Sequence, residues 1–211
     1  MANLANNEPP AIWVGLLNGF PEGYQGTQHQ KIKGGSLTEK LIIHYGKRLS
    51  FNLLSLEPEI DGQFIDLEYC QLFYMYLSIM GWEIGKEAAF DSLITASREN
   101  KYHPVCRYLE NIVSDPSIKP INLDTVATDY LGTNSELYNQ ILKTTLLAAV
   151  GRVKDRGVKF DNCCVLVGKQ GTGKSSFWRY LASDDWFCDT WQPKEQDLFM
   201  AIQSCWFYEI A

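Results

Sequence analysis

Residues 165–176 read VLVGKQGTGKSS, an apolar run that stops at a glycine and is followed by Gly-Lys-Ser. Positions 168–175 match the phosphate-loop pattern G-x-x-x-x-G-K-[ST] without a mismatch. That pattern belongs between a buried strand and a helix, and the sequence predicts both. CCVLV at 163–167 indicates the strand, and a helix is expected over about 174–182. The exact match in this context favours a nucleotide phosphate site over a chance glycine turn.

Each residue type in this loop has a chemical reason. Glycines let the backbone curl so that successive N–H groups point at one anion, and the N-terminus of the helix adds partial positive charge. Lys174 is predicted to reach the β and γ phosphates of ATP, and the Ser175 hydroxyl to ligate Mg²⁺. The predicted nucleotide-binding residues are Gly168, Lys169, Gln170, Gly171, Thr172, Gly173, Lys174, Ser175 and Ser176.

A phosphate loop also needs an acid on a neighbouring strand to hold the magnesium and orient water. CWFYEIA at 205–211 predicts a second buried strand and carries Glu209. We predict Glu209 as a metal ligand and, with Lys174, as a catalytic residue. The alternative is a carboxylate that merely stands at the end of a strand. Pro193 can open a helix to about Ser204, so the order of elements predicts a βαβ crossover.

Composition limits the class of protein. The 211 residues are 45% hydrophobic and 21% charged, as in ordinary globular proteins, and the net charge of -6 disfavours a general nucleic-acid coat. Local basic patches remain compatible with that charge. The six cysteines contain no Cys-x-x-Cys pair, which predicts reduced thiols rather than a zinc site. No secretory signal and no run of ~20 apolar residues is visible, so we expect a cytoplasmic protein without membrane association.

The chain is expected to have three parts: an irregular lead-in (1–36), an α+β adapter region with a hairpin and helices (37–115), and a helical linker with the start of a P-loop ATPase domain (116–211). Asp61-Gly62 predicts the hairpin. The proline-rich stretch 114–121 indicates the boundary. Helices are predicted at 66–80, 86–99, 104–112, 122–131 and 135–153. The predicted fold class is an incomplete, C-terminally truncated α/β P-loop NTPase core preceded by a mostly helical α+β region.

Several blocks of the C-terminal half resemble the virulence-associated protein E family, P-loop ATPases of phages, plasmids and integrated elements that are related to superfamily 3 helicases. Residues 1–99 resemble it only faintly. SDPSIKPINLD (114–124) stands where the family usually carries Trp-Asp-Gly-x-x-Arg. The blocks that carry the resemblance are NKYHPVCRYLENI (100–112), DYLGT (129–133), LLAAVGRV (146–153), GVKFDNCCVLVGKQGTGKSSFWRYLA (157–182), SDDWFCDT (183–190) and WFYEIA (206–211).

The resemblance implies a helicase-like ATPase that acts in DNA replication. Its partners would be single-stranded or forked DNA, further copies of itself in a ring such as a hexamer in the full-length protein, and a primase. Lys174 and Ser175 carry over as the nucleotide and magnesium residues, and Glu209 as the first Walker B acid. The family's arginine finger, sensor and pore loop would lie beyond residue 211. We therefore expect the chain to be a fragment that binds nucleotide poorly and hardly hydrolyses it.

Two other functions remain open from the sequence. A small P-loop phosphotransferase resembling a nucleoside kinase would share the loop, although no arginine-rich lid segment is visible. A non-catalytic interaction fragment would join a complex through residues 40–150. Phosphorylation of a nucleoside without DNA would favour the first, and indifference to Lys174→Ala would favour the second.

Some further residues have both a structural and a functional interpretation. His103 is expected at the start of a helix rather than as a base, and the basic residues Lys154, Arg156 and Lys159 as a solvated loop rather than a DNA contact. Asp184 and Asp185 fit a solvated turn better than a metal site. Four aromatic residues are expected in core or interface packing rather than base stacking: Trp178, Trp186, Phe187 and Trp191.

Overall fold

The computed structural model describes residues 17–155, 157–192 and 194–210. The chain divides into two compact units between Tyr102 and His103. Each unit has its own secondary structure and its own core. Within the described ranges, no helix has both the length and the apolar character that a membrane span requires.

Among the described residues, the N-terminal unit combines three α-helices with two small sheets. The helices are α1 (Gly34–Tyr45), α2 (Leu67–Ile79) and α3 (Lys86–Arg98). The strands are β1 (Tyr24–Gln25), β2 (Gln28–Lys31), β3 (Leu49–Asn52), β4 (Glu57–Ile60), β5 (Gln63–Phe64), β6 (Trp82–Glu83) and β7 (Lys101–Tyr102). One sheet has the order β1-β2-β6 and the other β5-β4-β3-β7. In both sheets the hairpin pairs are antiparallel, whereas β2–β6 and β3–β7 are parallel.

The predicted hairpin is confirmed between β4 and β5. Asp61 and Gly62 have φ values of 50° and 78°, which a two-residue hairpin turn of this type requires and which aspartate and glycine tolerate best. The Arg48 guanidinium donates a 2.7 Å hydrogen bond to Asp61 and holds the turn against the residues before β3. The helices predicted at 66–80 and 86–99 are confirmed as α2 and α3.

The N-terminal core lies between its three helices. The side chains that fill it are almost completely buried: Leu37 and Leu41 of α1, Phe73 and Leu77 of α2, and Leu93 of α3. Each pair on one helix is four residues apart, which places both side chains on one face. Burial of such side chains contributes about 1.5–3 kcal/mol each relative to leaving them exposed.

A buried carboxylate ties the strands of the larger sheet together. Glu59 on β4 is 2% exposed and accepts hydrogen bonds of 2.7 Å from Nδ2 of Asn52 and 2.6 Å from the Tyr102 hydroxyl. These contacts join β4, β3 and β7. The last strand therefore belongs to the N-terminal unit, and the division of the chain falls directly after it. The predicted boundary at 114–121 lies beyond this division, because strand pairing by 101–102 gives no local signal in the sequence.

The lead-in predicted for 1–36 is more regular than expected where it is described. Residues 24–31 form the β1–β2 hairpin, and α1 begins at Gly34. The strand QHQK is polar and mostly exposed, so it lacks the apolar alternation by which strands are recognised. Residues 1–16 lie outside the described residues.

Within the described residues, the C-terminal unit holds five helices and a two-stranded parallel sheet. Its elements are α4 (Pro104–Ser114), α5 (Val126–Leu131), α6 (Glu136–Lys154), α7 (Lys174–Trp186), β8 (Phe187–Cys188), α8 (Glu195–Gln203) and β9 (Phe207–Tyr208). In register, Phe187 lies opposite Phe207 and Cys188 opposite Tyr208. The predicted helices are confirmed with shifted ends, most clearly for α5, which starts four residues later than expected. Gly132 ends α5 in the left-handed conformation, as predicted.

The C-terminal core is built from α5, α6 and α7. Its buried members are Val126, Ala127, Leu142 and Trp178. The Trp178 ring stacks on Phe207 of β9, with centroids 5.1 Å apart and planes 24° from parallel. Core packing is thus confirmed for Trp178, which is 9% exposed, whereas Trp191 is 72% exposed.

The strand predicted at 163–167 is wrong for the described structure. Cys164 and Leu166 pack against the core, whereas Val165 and Val167 are 77% and 93% exposed. That alternation is typical of an extended segment covered on one face, not of a strand buried on both. No segment within the described ranges forms a ladder with it. The parallel crossover runs instead from β8 through α8 to β9.

Candidate nucleotide-binding site

The loop at 168–173 leads directly into α7, whose first residue is Lys174. Gly171 and Gly173 have φ values of 81° and 82°, in the region that favours glycine. Gly173 precedes the helix, and its carbonyl oxygen accepts a 2.9 Å hydrogen bond from the Phe177 N–H. The glycines predicted for a curled loop before a helix therefore occupy positions that require them.

Lys174 lies across this loop rather than pointing away from it. Its Nζ donates hydrogen bonds of 3.1 Å to the Gly168 carbonyl and 3.0 Å to the Lys169 carbonyl. The Thr172 hydroxyl also donates to the Lys169 carbonyl, at 2.8 Å. An ammonium carries three N–H donors, and the two bonds to the loop use two of them. The arrangement holds a positive charge at the inner side of the loop.

Ser175 and Glu209 meet although they lie 34 residues apart in the chain. The Ser175 hydroxyl donates a 2.7 Å hydrogen bond to Oε1 of Glu209. Glu209 is held by the ladder of the small sheet, because its backbone N–H donates to the Cys188 carbonyl at 2.8 Å. The two residues predicted to share a magnesium ion are therefore brought together by the end of β9 and the first turn of α7.

The second carboxylate oxygen of Glu209 has a different environment. Oε2 is buried and has no hydrogen-bond partner within the described ranges. A buried carboxylate oxygen without a partner is unfavourable, and a cation beside it would remove that cost. Magnesium takes few protein ligands and completes its octahedron with water and phosphate oxygens, so a hydroxyl and one carboxylate fit it. Residues 17–155, 157–192 and 194–210 contain no cluster of three or more His, Cys, Asp or Glu side chains suited to a metal.

The other predicted loop residues are more peripheral. Gln170 is exposed at the turn, and Ser176 is exposed in the first turn of α7. At Gly168, an added Cβ would meet Oγ1 of Thr172 at 3.4 Å.

An arginine that the sequence analysis did not single out anchors β8 to α7. Arg179 donates a 2.7 Å hydrogen bond to Oδ2 of Asp189 and lies 3.4 Å from Oδ1 of Asp184, while its guanidinium stacks over the Phe187 ring. These contacts hold the strand that in turn pairs with the Glu209 backbone. Asp184 is largely exposed and serves this ion pair, but it lies near the C-terminal end of α7 rather than in the predicted turn.

The remaining candidates take structural positions. Nδ1 of His103 accepts from the Cys106 N–H at 3.4 Å, which confirms its place at the start of α4. Lys159 pairs with Asp161 at 3.0 Å on the surface. Arg156 lies outside the described residues.

The cysteines near the site behave as apolar groups. Burial raises the pKa of the Cys205 thiol to about 12, and burial also raises the pKa of Cys164. Both thiols are therefore protonated at neutral pH, and thiolates are the nucleophilic and metal-binding form. All six cysteines of the chain are free.

A buried amide positions the helix beside the loop. Oδ1 of Asn139 on α6 accepts hydrogen bonds from the backbone N–H groups of Ala127 (2.7 Å) and Thr128 (2.9 Å), and its Nδ2 donates to the Thr128 hydroxyl at 2.9 Å. Asn139 thus caps the N-terminus of α5 from another helix. Sequence signals for caps come from residues next to each helix, so a cap donated by a distant helix gives no such signal.

Comparison with known protein families finds a similarity for the C-terminal part of the chain. Residues 117–211 match the virulence-associated protein E-like domain. This stretch is therefore similar to that domain, and it covers slightly less than half of the chain. The match includes the loop, α7 and Glu209, and it begins after the 100–112 block of the resemblance. The search of curated proteins found no match for the chain. The relation of the virulence-associated protein E-like domain to P-loop helicases stays a prediction.

Proposed function

We propose that the chain is an ATP-binding, helicase-like ATPase of a mobile element that takes part in DNA replication. Residues 168–176 would hold the phosphates, and Ser175 with Glu209 would hold Mg²⁺. The observation that supports this proposal most is the 2.7 Å hydrogen bond between Ser175 and Glu209. It brings a distant acid beside the hydroxyl that follows the loop lysine, as phosphoryl-transfer chemistry with magnesium needs.

Each residue of the proposed site has a role that follows from its chemistry. The loop N–H groups and the N-terminus of α7 favour an anion, and the Lys174 ammonium adds a full charge that can shift from the loop carbonyls to a phosphate oxygen. Because the Ser175 proton is directed at Glu209, the lone pairs of its oxygen remain for a cation. Magnesium, when bound, would neutralise phosphate charge. Glu209 would also orient the attacking water.

The partners in this proposal are single-stranded or forked DNA, further copies of the chain in a ring, and a primase. Their support is the family match and the resemblance of the blocks around it. Sedimentation velocity of the chain with Mg-ATP and a single-stranded oligonucleotide tests the first two. We expect a nucleotide-dependent complex larger than the monomer. A chain that stays monomeric and leaves the oligonucleotide unbound at all concentrations would contradict this part.

Nucleotide binding tests the site itself. We expect calorimetric titration with Mg-ATP, extended into the millimolar range, to show binding to the wild-type chain. Lys174→Ala should weaken it by at least about tenfold, since it removes a charge-assisted hydrogen bond to phosphate. The matched control is Lys194→Ala, which removes an exposed lysine outside the loop.

Two results would contradict the proposal. Equal affinity of the wild type and Lys174→Ala for Mg-ATP would exclude the loop as the phosphate site. Phosphorylation of a nucleoside by the wild-type chain without DNA would assign it to the phosphotransferase class instead.

A further inference from the structure

A cavity of about 410 Å³ adjoins the phosphate loop within the C-terminal unit. Thr172, Gly173 and Lys174 contribute to its lining, so it is continuous with the predicted phosphate site. Much of the remaining lining comes from α5, α6 and their connection. This part of the lining includes Tyr130, Thr133 and Tyr138.

The aromatic side chains of this cavity are only partly covered. Tyr130 is 56% exposed and Tyr138 is 53% exposed. Two aromatic rings at the rim of one cavity offer flat apolar surface to a ligand. Such surface stacks on any nucleobase, because every base has a π-face.

One polar atom in the cavity lacks a partner. Oγ1 of Thr133 is buried and makes no hydrogen bond with any residue in the described part of the chain. A buried hydroxyl without a partner is unfavourable, and a ligand group that bonds it removes that cost. The cavity therefore combines apolar walls with one polar group, as small-molecule sites do, and its volume lies in their usual range.

We propose that this cavity binds the nucleoside part of the nucleotide whose phosphates lie on the loop. Tyr130 and Tyr138 stack against or flank the base, and the Thr133 hydroxyl bonds a base or ribose atom. This assignment rests on the proposed nucleotide site. It extends that site to residues 130–141 of α5, α6 and their connection, which lie 27 to 38 residues before Gly168 and which no loop pattern includes.

The position of Asn139 supports the same assignment. Its side chain caps α5 from α6 and so sets the distance between the helices that carry the two tyrosines. A site for a rigid base needs walls that are held in place. A nucleoside also explains why an apolar cavity lies beside a strongly polar loop, since a nucleotide is apolar and flat at one end and anionic at the other.

The test compares two ligands that share phosphates and differ in the nucleoside. The affinity of ATP and of inorganic tripolyphosphate, each with Mg²⁺, is measured on the full chain. Tyr130→Ala and Tyr138→Ala should each weaken ATP binding about tenfold, the usual effect of losing one stacking ring. Thr133→Val should weaken it less. None of the three should change tripolyphosphate binding. Tyr180→Ala is the matched control, because Tyr180 is 87% exposed on α7 and does not line the cavity.

The outcomes separate this inference from the function on which it rests. If Lys174→Ala weakens both ligands while the cavity variants weaken neither, the loop stands and the nucleoside site is overturned. Parallel losses of both ligands in the cavity variants would also overturn it. A wild-type chain that binds neither ligand would overturn the proposed function and this inference together.

A second measurement covers variants that fail to fold. Photolabelling of the wild-type chain with 8-azido-ATP should place the label on peptides within 126–142, and excess ATP should remove it. Label found only on other peptides would overturn the nucleoside site.

Discussion

The Ser175 hydroxyl donates a 2.7 Å hydrogen bond to Oε1 of Glu209, while Oε2 of the same carboxylate is buried without a partner in the described part of the chain. One oxygen thus accepts the hydrogen bond of the serine, and the other is the atom that we propose meets Mg²⁺. The pair depends on the β8–β9 ladder, because that ladder holds the Glu209 backbone. Its chemical consequence is a site in which magnesium and phosphate are expected to bind together.

Loss of either partner should therefore reduce the effect of magnesium on nucleotide affinity. In the wild type, Mg²⁺ is expected to strengthen ATP binding. Ser175→Ala and Glu209→Gln should each remove most of that gain, about tenfold in affinity, because each removes a ligand or its charge. Titrations with and without Mg²⁺ measure the gain. The control is Glu195→Gln, which neutralises an exposed carboxylate on α8. If Mg²⁺ strengthens ATP binding by Ser175→Ala and Glu209→Gln as much as by the wild type, Glu209 is only an acid at the end of a strand.

The glycine before α7 should be more costly to replace than a glycine inside a helix. Gly173 has a φ of 82° and no neighbour that a Cβ would strike, so Gly173→Ala should cost about 1–2 kcal/mol of unfolding free energy through backbone strain alone. Gly151→Ala in α6 should instead stabilise the unit by about 0.5–1 kcal/mol, because its backbone is helical and the added methyl makes only an ordinary contact. Urea unfolding of both variants checks the difference in sign. Equal effects would contradict the left-handed conformation at Gly173.

The Asn139 side chain that caps α5 can be tested by hydrogen exchange at single backbone amides. Asn139→Ala leaves the N–H groups of Ala127 and Thr128 without their acceptor and should cost about 2 kcal/mol. Hydrogen exchange at these two amides should accelerate strongly. Asn134→Ala, at an exposed position before α6, should leave them protected. Unchanged exchange in Asn139→Ala would show that the cap does not hold the helix.

The N-terminal unit should respond to pH through Glu57. Burial, with the nearby carboxylates of Asp66 and Glu59, raises the pKa of Glu57 above its usual value. Ionisation of Glu57 is therefore less favourable in the folded state than in the unfolded state. The protonated carboxyl makes folding more favourable at low pH, and this contribution to the free energy of unfolding is lost as pH rises through the folded-state pKa. Glu57→Gln should raise the melting temperature of the unit at about pH 7 and lose that advantage at about pH 4. Because Glu57 is partly exposed, we expect a small effect. Glu39→Gln on α1 is the control. An equal shift of the melting temperature in Glu57→Gln at both pH values would contradict the raised pKa of Glu57.

Turns, helix ends and loop glycines could be predicted from the sequence, because their conformation depends on the residues at those positions. Asp61, Gly62, Gly132, Gly171 and Gly173 each have a positive φ that few other residues adopt, so their positions could be predicted from the sequence. The α1 helix was missed although Leu37, Leu41 and Tyr45 repeat every four residues on one face. The glycines at the N-terminus of α1 and the polar residues around its one apolar face made the helix difficult to recognise in the sequence.

Features that depend on distant residues could not be predicted in this way. An apolar run such as 163–167 shows that a segment can be buried, but not which segments cover it, and here only one face is covered. The cap that Asn139 provides joins two helices through the fold, and the burial of the Thr133 hydroxyl likewise has no local signal in the sequence. The approach of Glu209 to Ser175 was predicted, because a phosphate loop requires an acid and the last apolar run offered one.

Hydrogen exchange of the loop amides is the most direct test of phosphate binding at residues 168–176. We predict that Mg-ATP and magnesium tripolyphosphate, added into the millimolar range, slow exchange at these residues, because their N–H groups would bond phosphate oxygens. Adenosine should leave the loop amides unchanged. Protection of the loop by phosphate ligands and its loss in Lys174→Ala is the predicted result. Loop amides that exchange at the same rate with and without Mg-ATP, while the ligand binds elsewhere or not at all, would contradict the account.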